Sequence, residues 1–241
     1  MDQMAIDGFG PWVEHPLACF DVESTGPNPT QDRVVTACIA RIDITNGKGE
    51  IEADNWLLNP GIEIPQGAID VHGVTNEVAR TEGSDYEEGL LAIWAMLQLL
   101  WGDGRIVAAY NGSFDLTMMT SELRRLGHDP GDVGPMVDPH VLDKHFDKYR
   151  KGSRKLTAVC EHYGVELGDA HNAAADALGA ARLAWVMPRR FPELATLTAA
   201  ELQEKQALWY ADQKRSLFDY LRRKGESVDD ESTDWPIRKA A

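Results

Sequence analysis

The sequence predicts an α/β fold in which helices flank a mixed five-stranded sheet. Two observations carry this prediction. Three apolar, strand-like runs follow one another early in the chain with short turn signals between them, which is typical of an antiparallel meander. Strand-like and helix-like patterns then alternate, which is typical of parallel strands joined by helices. The 241 residues are enough for one domain with a substantial core and an appendage, or for two small domains.

The meander occupies residues 17–58. Its predicted strands are residues 17–21, 34–44 and 50–58, and Asn46-Gly47 is the turn signal expected between the second and the third strand. Prolines and glycines break any regular period over residues 59–79, so we expect an irregular segment there.

The second half of the predicted domain alternates helices and strands. Leucine and tryptophan recur at helical spacing over residues 86–101 and predict a long core helix. The elements expected after it are a strand at 105–110, a helix ending near residue 127, a strand at 135–137, two short helices at 138–146 and 156–163, and a last core helix at 171–187.

Prolines at positions 188 and 192 close this predicted domain, which spans residues 14–187. Residues 188–241 form a predicted C-terminal extension with a helix over 199–224 and a polar, loose tail. The extension could brace the domain, bind a polymerase or another protein, or help to form a dimer.

The formal net charge is −15. It argues against a protein that holds long nucleic acid through its overall field, but not against an enzyme that takes one chain end into a cleft. No apolar run reaches the length of a membrane span, and the pattern of a secretory leader is missing. Three cysteines without metal-ligand spacing are expected to be reduced core residues. We therefore expect a soluble, cytoplasmic protein that does not bind membranes.

Positive charge gathers in one segment around Tyr149. Its cations are Lys144, Lys148, Arg150, Lys151, Arg154 and Lys155. This segment is either a contact for nucleic acid beside a site or a solvated basic loop, and the sequence leaves both interpretations open.

Acidic side chains mark three separate segments. Asp21 and Glu23 end the first strand-like run, and the alternation of side chains along a strand points both carboxylates to one face. A divalent cation would neutralise their repulsion; alternatively, the strand simply leaves into solvent at an acidic turn. Asp115 falls in the first turn of the helix after the fourth strand, and Asp176 heads the apolar face of the last core helix. These four acids meet only if the first strand is central.

Four motifs, in this order and spacing, resemble those of the DEDDh 3′–5′ exonucleases, a family with the RNase H-like fold. Residues 20–26 (Phe-Asp-Val-Glu-Ser-Thr-Gly) are similar to the family's Asp-x-Glu-Thr-Thr-Gly, and residues 71–75 (Val-His-Gly-Val-Thr) to its His-Gly-Ile element. Residues 110–115 (Tyr-Asn-Gly-Ser-Phe-Asp) are similar to His/Tyr-Asn-x-x-Phe-Asp, and residues 171–176 (His-Asn-Ala-Ala-Ala-Asp) to its His-x4-Asp motif. The family includes the proofreading subunit of bacterial DNA polymerase III, ribonuclease T and oligoribonuclease.

The resemblance implies that Asp21, Glu23, Asp115 and Asp176 hold two Mg²⁺ or Mn²⁺ ions and that His171 is the general base. It implies hydrolysis of the terminal phosphodiester with release of a nucleoside 5′-monophosphate. The substrate-binding residues it points to are Ser24, Thr25, Gly26, His72, Asn111 and Phe114. The expected partner is the 3′ end of nucleic acid, with single-stranded DNA ahead of RNA.

Two other interpretations stay open. An oligoribonuclease-like enzyme would degrade short RNA, which suits an acidic surface better than a long substrate does. A nuclease-fold protein without activity would serve as a binding module, although the intact set of four acids and His171 argues against it.

Overall fold

The structure, a computed structural model, describes residues 10–45, 48–168, 172–228 and 232–238. Its strands form one mixed sheet in the order β3-β2-β1-β4-β5. The antiparallel meander consists of β1 (Leu17–Ser24), β2 (Val34–Thr45) and β3 (Lys48–Leu57), and β4 (Ile106–Ala108) and β5 (Met136–Val137) continue the sheet in parallel. The predicted five-stranded mixed sheet is confirmed, and β1 is its central strand. The predicted turn at Asn46-Gly47 lies outside the described residues.

Helices flank this sheet. In the described part of the chain they are α1 (Gln66–His72), α2 (Asn76–Glu82), α3 (Tyr86–Gly102), α4 (Ser113–Arg125), α5 (Pro139–Phe146), α6 (Leu156–Tyr163), α7 (Ala173–Arg190) and α8 (Ala199–Lys224). The helices from α3 onward follow the sequence prediction within a few residues. Short 3₁₀ helices cover Trp12–Glu14 and Pro192–Thr196.

The prediction of an irregular segment over residues 59–79 is wrong, because α1 and α2 lie there. The prolines and glycines that break the period stand at helix ends. Pro65 is the N-cap of α1, and Gly73 ends that helix with a φ of 77°, the left-handed conformation that glycine adopts at C-caps. The Thr75 side chain begins α2 by accepting a 3.2 Å hydrogen bond from the Val78 N–H.

The two faces of β1 belong to different parts of the core. Ala18, Phe20 and Val22 point to the side covered by α3 and α4. Leu17 and Cys19 point to the other side, which α7 covers. Four of the residues that α7 buries there are alanines, Ala173, Ala177, Ala181 and Ala184, and Met187 follows them near the end of the helix. Because the alanine side chains are short, this part of α7 packs closely on β1.

The C-terminal residues pack on this core. The fully buried Gln206 of α8 accepts a 2.7 Å hydrogen bond from the Asp138 N–H and donates one of 2.9 Å to the Met136 carbonyl, which ties α8 to β5. Trp235 is buried in the cluster that α3 and α4 share. The expectation of a loose tail is therefore wrong for residues 232–238, because a large aromatic side chain anchors them.

The predicted domain boundary at Pro188 falls inside α7, which continues to Arg190. The division into a domain at 14–187 and an extension at 188–241 stays a prediction. Cys19, Cys38 and Cys160 are free and buried, as expected. Within the described ranges, no helix combines the length and the apolar character that crossing a membrane requires.

Candidate active site

β1 places Asp21 and Glu23 beneath α7. Both follow Leu17 and Cys19 on the same face of the strand, because side chains alternate along it. Pairing with β2 shifts its register immediately after Glu23, where β1 ends and the loop that begins with Thr25 follows. The two carboxylates therefore lie at the edge where the central strand leaves the sheet.

Asp176 reaches the same place from α7. The Asn172 side chain caps this helix by accepting hydrogen bonds from the Ala174 and Ala175 N–H groups, at 3.0 and 3.4 Å. The cap fixes the first turn, which carries Asp176. One carboxylate oxygen each from Asp21, Glu23 and Asp176 lie within 4.8 Å of one another.

Asp115 comes from the first turn of α4 and is only 4% exposed. Its Oδ1 accepts a 3.0 Å hydrogen bond from the Val22 N–H, which binds the helix start to β1 between the two strand carboxylates. Because Val22 stands between Asp21 and Glu23, this hydrogen bond brings Asp115 to the end of β1 that carries the other acids. All four predicted acids thus meet at one end of β1.

Burial and repulsion both disfavour the ionised forms of these acids. Burial raises the pKa of Asp21 well above its usual range, and the charges of Asp115, Glu23 and Asp176 raise it further. Burial, then Asp176 and Asp115, raise the pKa of Glu23 to about 8. Burial raises the pKa of Asp115 to about 7, although the Val22 hydrogen bond lowers it. Carboxylate oxygens that lie close together and repel one another are suitable ligands for hard divalent cations.

His171, the predicted general base, lies outside the described residues. Its role stays a prediction. The described chain resumes at Asn172, the cap of α7.

A cleft of about 810 Å³ opens beside Glu23. It is lined by all six predicted substrate-binding residues: Ser24, Thr25, Gly26, His72, Asn111 and Phe114. Asn111 has a left-handed φ of 59°, and its N–H donates a 2.9 Å hydrogen bond to the buried Asp138 carboxylate. His72 ends α1, and burial lowers its pKa. The six residues share one cleft, and their binding roles stay predictions.

A second cleft, of about 390 Å³, adjoins the carboxylates as well. Glu23 and His72 line both clefts, and Asn55, Trp56 and Asn172 line only the second. Sequence reasoning missed these last three residues. Trp56 and Asn55 lie on β3 in a run that indicates only a strand, and Asn172 is the helix cap before Asp176.

Arg238 lines the first cleft and was also missed. It lies 121 residues from its hydrogen-bond partner Thr117. No short motif could have connected the two positions.

Two arginines of the basic segment around Tyr149 stabilise the fold. The guanidinium groups of Arg150 and Arg154 both bind the fully buried Asp143 carboxylate, with Arg150 at 2.9 Å. Burial opposes the ionisation of Asp143, but these hydrogen bonds outweigh it and lower the pKa. Tyr149 is 89% exposed. Two of the cations are thus structural, and the choice between a nucleic-acid contact and a solvated loop stays open for the lysines.

Comparison with known proteins shows the family of the chain. The RNase_T family model, described as "Exonuclease", matches residues 18–184, from the start of β1 to the small residues of α7. The chain belongs to this exonuclease family. The resemblance to the DEDDh 3′–5′ exonucleases is confirmed.

The individual relatives of the exonuclease have low sequence identity to it. DNA polymerase III PolC-type of Staphylococcus aureus is 26% identical over 186 residues, which cover 77% of this chain and 12% of that protein. E. coli exonuclease I in complex with a dT13 oligonucleotide superposes with a TM-score of 0.64 at 21% identity, over 75% of this chain and 42% of that chain. The zinc-bound E. coli ExoI–ssDNA complex superposes with a TM-score of 0.62 at 20% sequence identity. This match covers 85% of this chain and 45% of that chain.

The exonuclease spans about an eighth of the length of the PolC-type relative and under half of exonuclease I. The likeness to exonuclease I shows the fold of this chain.

Proposed function

We propose that the exonuclease removes nucleotides singly from the 3′ end of single-stranded nucleic acid and releases nucleoside 5′-monophosphates. The observation that carries this proposal is the set of carboxylate oxygens of Asp21, Glu23 and Asp176 within 4.8 Å, at the edge of an open cleft. A strand end entering that cleft would bring its last phosphodiester to the acids.

The proposed cofactors are two Mg²⁺ or Mn²⁺ ions held by Asp21, Glu23, Asp115 and Asp176. When bound, such ions supply Lewis-acid stabilisation of phosphoryl charge and lower the pKa of water. Hard cations of this kind prefer oxygen ligands, and all four donors are carboxylates.

The residues of the chain have separate roles in this proposal. Phe114 and His72, in the cleft wall, position the terminal nucleotide. His171 accepts a proton from the attacking water, since imidazole titrates near neutral pH. The water oxygen forms a new bond to phosphorus as the bond from phosphorus to the 3′ oxygen breaks. The 3′ oxygen takes a proton from solvent, and the shortened strand leaves with a 3′ hydroxyl.

Single-stranded DNA is the substrate we propose first. The oligonucleotide in the superposed exonuclease I complex is dT13, which supports this choice. A net charge of −15 disfavours long duplexes. The same charge favours short RNA as the second candidate, because a fragment of a few nucleotides meets less of the acidic surface.

A matched substrate set tests the proposal. The purified enzyme is incubated with single-stranded DNA, duplex DNA and RNA of one sequence, each labelled at the 5′ or the 3′ end, with Mg²⁺, Mn²⁺ or EDTA. We expect 5′-labelled single strands to shorten stepwise with a metal and to stay intact in EDTA. Asp21→Asn should be inactive, whereas Asp219→Asn, on the exposed surface of α8, should act as wild type. Degradation that starts at the 5′ end would contradict the proposal.

A polymerase or another protein could bind the helical extension, and the PolC-type relative supports a polymerase as the partner. Cytoplasmic location is part of the same proposal. Affinity capture with the full chain as bait and a DNA polymerase as candidate prey tests the partner, and failure to retain it above background would contradict that assignment.

A further inference from the structure

The segment 232–238 carries a cation to the wall of the cleft. Arg238 lines the cleft together with Glu23, Asn111 and Phe114. The segment reaches this position because Trp235 is inserted into the core cluster beneath α3 and α4.

Two contacts with α4 hold Arg238. Its backbone N–H donates a 2.9 Å hydrogen bond to the Thr117 hydroxyl, and its side-chain Nε donates one of 3.3 Å to the Ser113 hydroxyl. Both hydroxyl residues are fully buried and lie one helical turn apart on α4. The guanidinium therefore lies at the N-terminus of α4, beside Ser113, which precedes Asp115 by two residues.

The charge of Arg238 affects one of the four acids. It lowers the pKa of Asp115, against the larger effect of burial. The other ionisable residues that line the cleft are Glu23, Asp32 and His72. Among the described lining residues, Arg238 is therefore the one with a permanent positive charge.

We infer that Arg238 binds a backbone phosphate of the strand that enters the cleft, which makes the C-terminal segment part of the substrate-binding surface. This inference rests on the proposed function. A guanidinium matches a phosphate with parallel hydrogen bonds, and it stays charged at every working pH. In a chain with a net charge of −15, a cation at the cleft wall offsets the local repulsion that a polyanionic strand meets.

Arg238→Gln removes the charge and keeps a long polar side chain. For a dT oligonucleotide we expect KM to rise about tenfold, the loss of one ordinary charged contact, while kcat changes less than about twofold. The slope of log binding constant against log salt should become shallower by about 0.7, the value for one phosphate contact on a single strand. Arg238→Lys should keep the wild-type slope, and Arg215→Gln, on the exposed surface of α8, is the matched control.

The outcomes separate this inference from the proposed function. If wild type leaves every 3′ end intact, the proposed function is wrong. If wild type degrades the oligonucleotide and Arg238→Gln matches it in KM and salt slope, the inference on Arg238 is wrong. A lower melting temperature of Arg238→Gln with an unchanged salt slope would mean that Arg238 only anchors the segment, which also overturns the inference.

Discussion

The Oδ1 atom of Asp115 accepts a 3.0 Å hydrogen bond from the N–H of Val22, midway between Asp21 and Glu23 on β1. A candidate metal ligand thus also joins α4 to the central strand. Its charge and its hydrogen-bonding oxygen have different tasks, and substitutions can separate them.

Asp115→Asn keeps an oxygen that can accept the Val22 hydrogen bond but removes the charge. We expect turnover to fall at least ~10²-fold, which corresponds to ~2.7 kcal/mol of transition-state stabilisation, while the melting temperature in EDTA stays equal or rises. Asp115→Ala should lose the same activity and also destabilise the fold by about 1–3 kcal/mol, because the buried Val22 N–H loses its partner. Single-turnover rates and urea denaturation measure both effects. Near wild-type turnover of Asp115→Asn would remove Asp115 from the metal site.

The raised pKa values of the acids predict how the metal-free enzyme responds to pH. Carboxyl groups of the unfolded chain titrate near pH 4, whereas the pKa is about 8 for Glu23 and about 7 for Asp115 in the folded protein. From about pH 5 to 8.5 the folded state holds more protons than the unfolded state, so the free energy of unfolding falls as pH rises.

Thermal denaturation in EDTA and in Mn²⁺ across this pH range measures the effect. The melting temperature in EDTA should fall with pH, and the gain from Mn²⁺ should grow, because the metal binds the ionised acids. Glu23→Gln should flatten the decline. A melting temperature in EDTA that rises over the same range would contradict the repulsion among these groups.

Replacement of the fully buried Asp143 is expected to give a large loss of stability. Asp143→Ala leaves Arg150 and Arg154 without the carboxylate they share and removes the acceptor of the Tyr163 hydroxyl. Breaking such a buried pair typically costs about 3–5 kcal/mol, and urea denaturation should show a loss of this order. Asp219→Ala, on the exposed surface of α8, should change the midpoint very little. A loss below about 1 kcal/mol for Asp143→Ala would mean that water replaces the carboxylate.

We expect the hydrogen bonds of Gln206 to contribute to the free energy that holds α8 against the sheet. Gln206→Leu keeps the volume but leaves the Asp138 N–H and the Met136 carbonyl without their partner. The expected loss is about 2–6 kcal/mol, from two buried groups at about 1–3 kcal/mol each. Gln203→Leu is a milder comparison, because Gln203 is only partly buried and makes one such bond, with the Met136 N–H. Hydrogen exchange of the α8 amides compares the two variants. If the amides are equally protected in Gln206→Leu and Gln203→Leu, the hydrogen bonds of Gln206 do not attach α8 to the sheet.

The acids could be predicted from the sequence because each follows a local rule. Alternation along a strand put Asp21 and Glu23 on one face, and the helix that follows a glycine turn put Asp115 in a first turn. The helix start after His171 did the same for Asp176. Their meeting required the strand order, and the motif resemblance supplied it.

Other features depend on contacts that no local pattern encodes. Pro65 and Gly73 break a period whether they lie within a loop or cap a helix, so α1 and α2 were missed. Trp235 follows a polar stretch, and only its insertion among residues of α3 and α4 shows that the segment is anchored. Arg238 depends on that anchor in turn, since Thr117 binds it across 121 residues.

That long separation bears on how the enzyme is made. A ribosome completes β1, α4 and their shared acids long before residues 232–238 emerge, so the sheet can form while one side of the cleft is still absent. If Arg238 holds the substrate as inferred, a nascent chain binds a strand end at full strength only after residues 232–238 have been made and Trp235 has packed on the core.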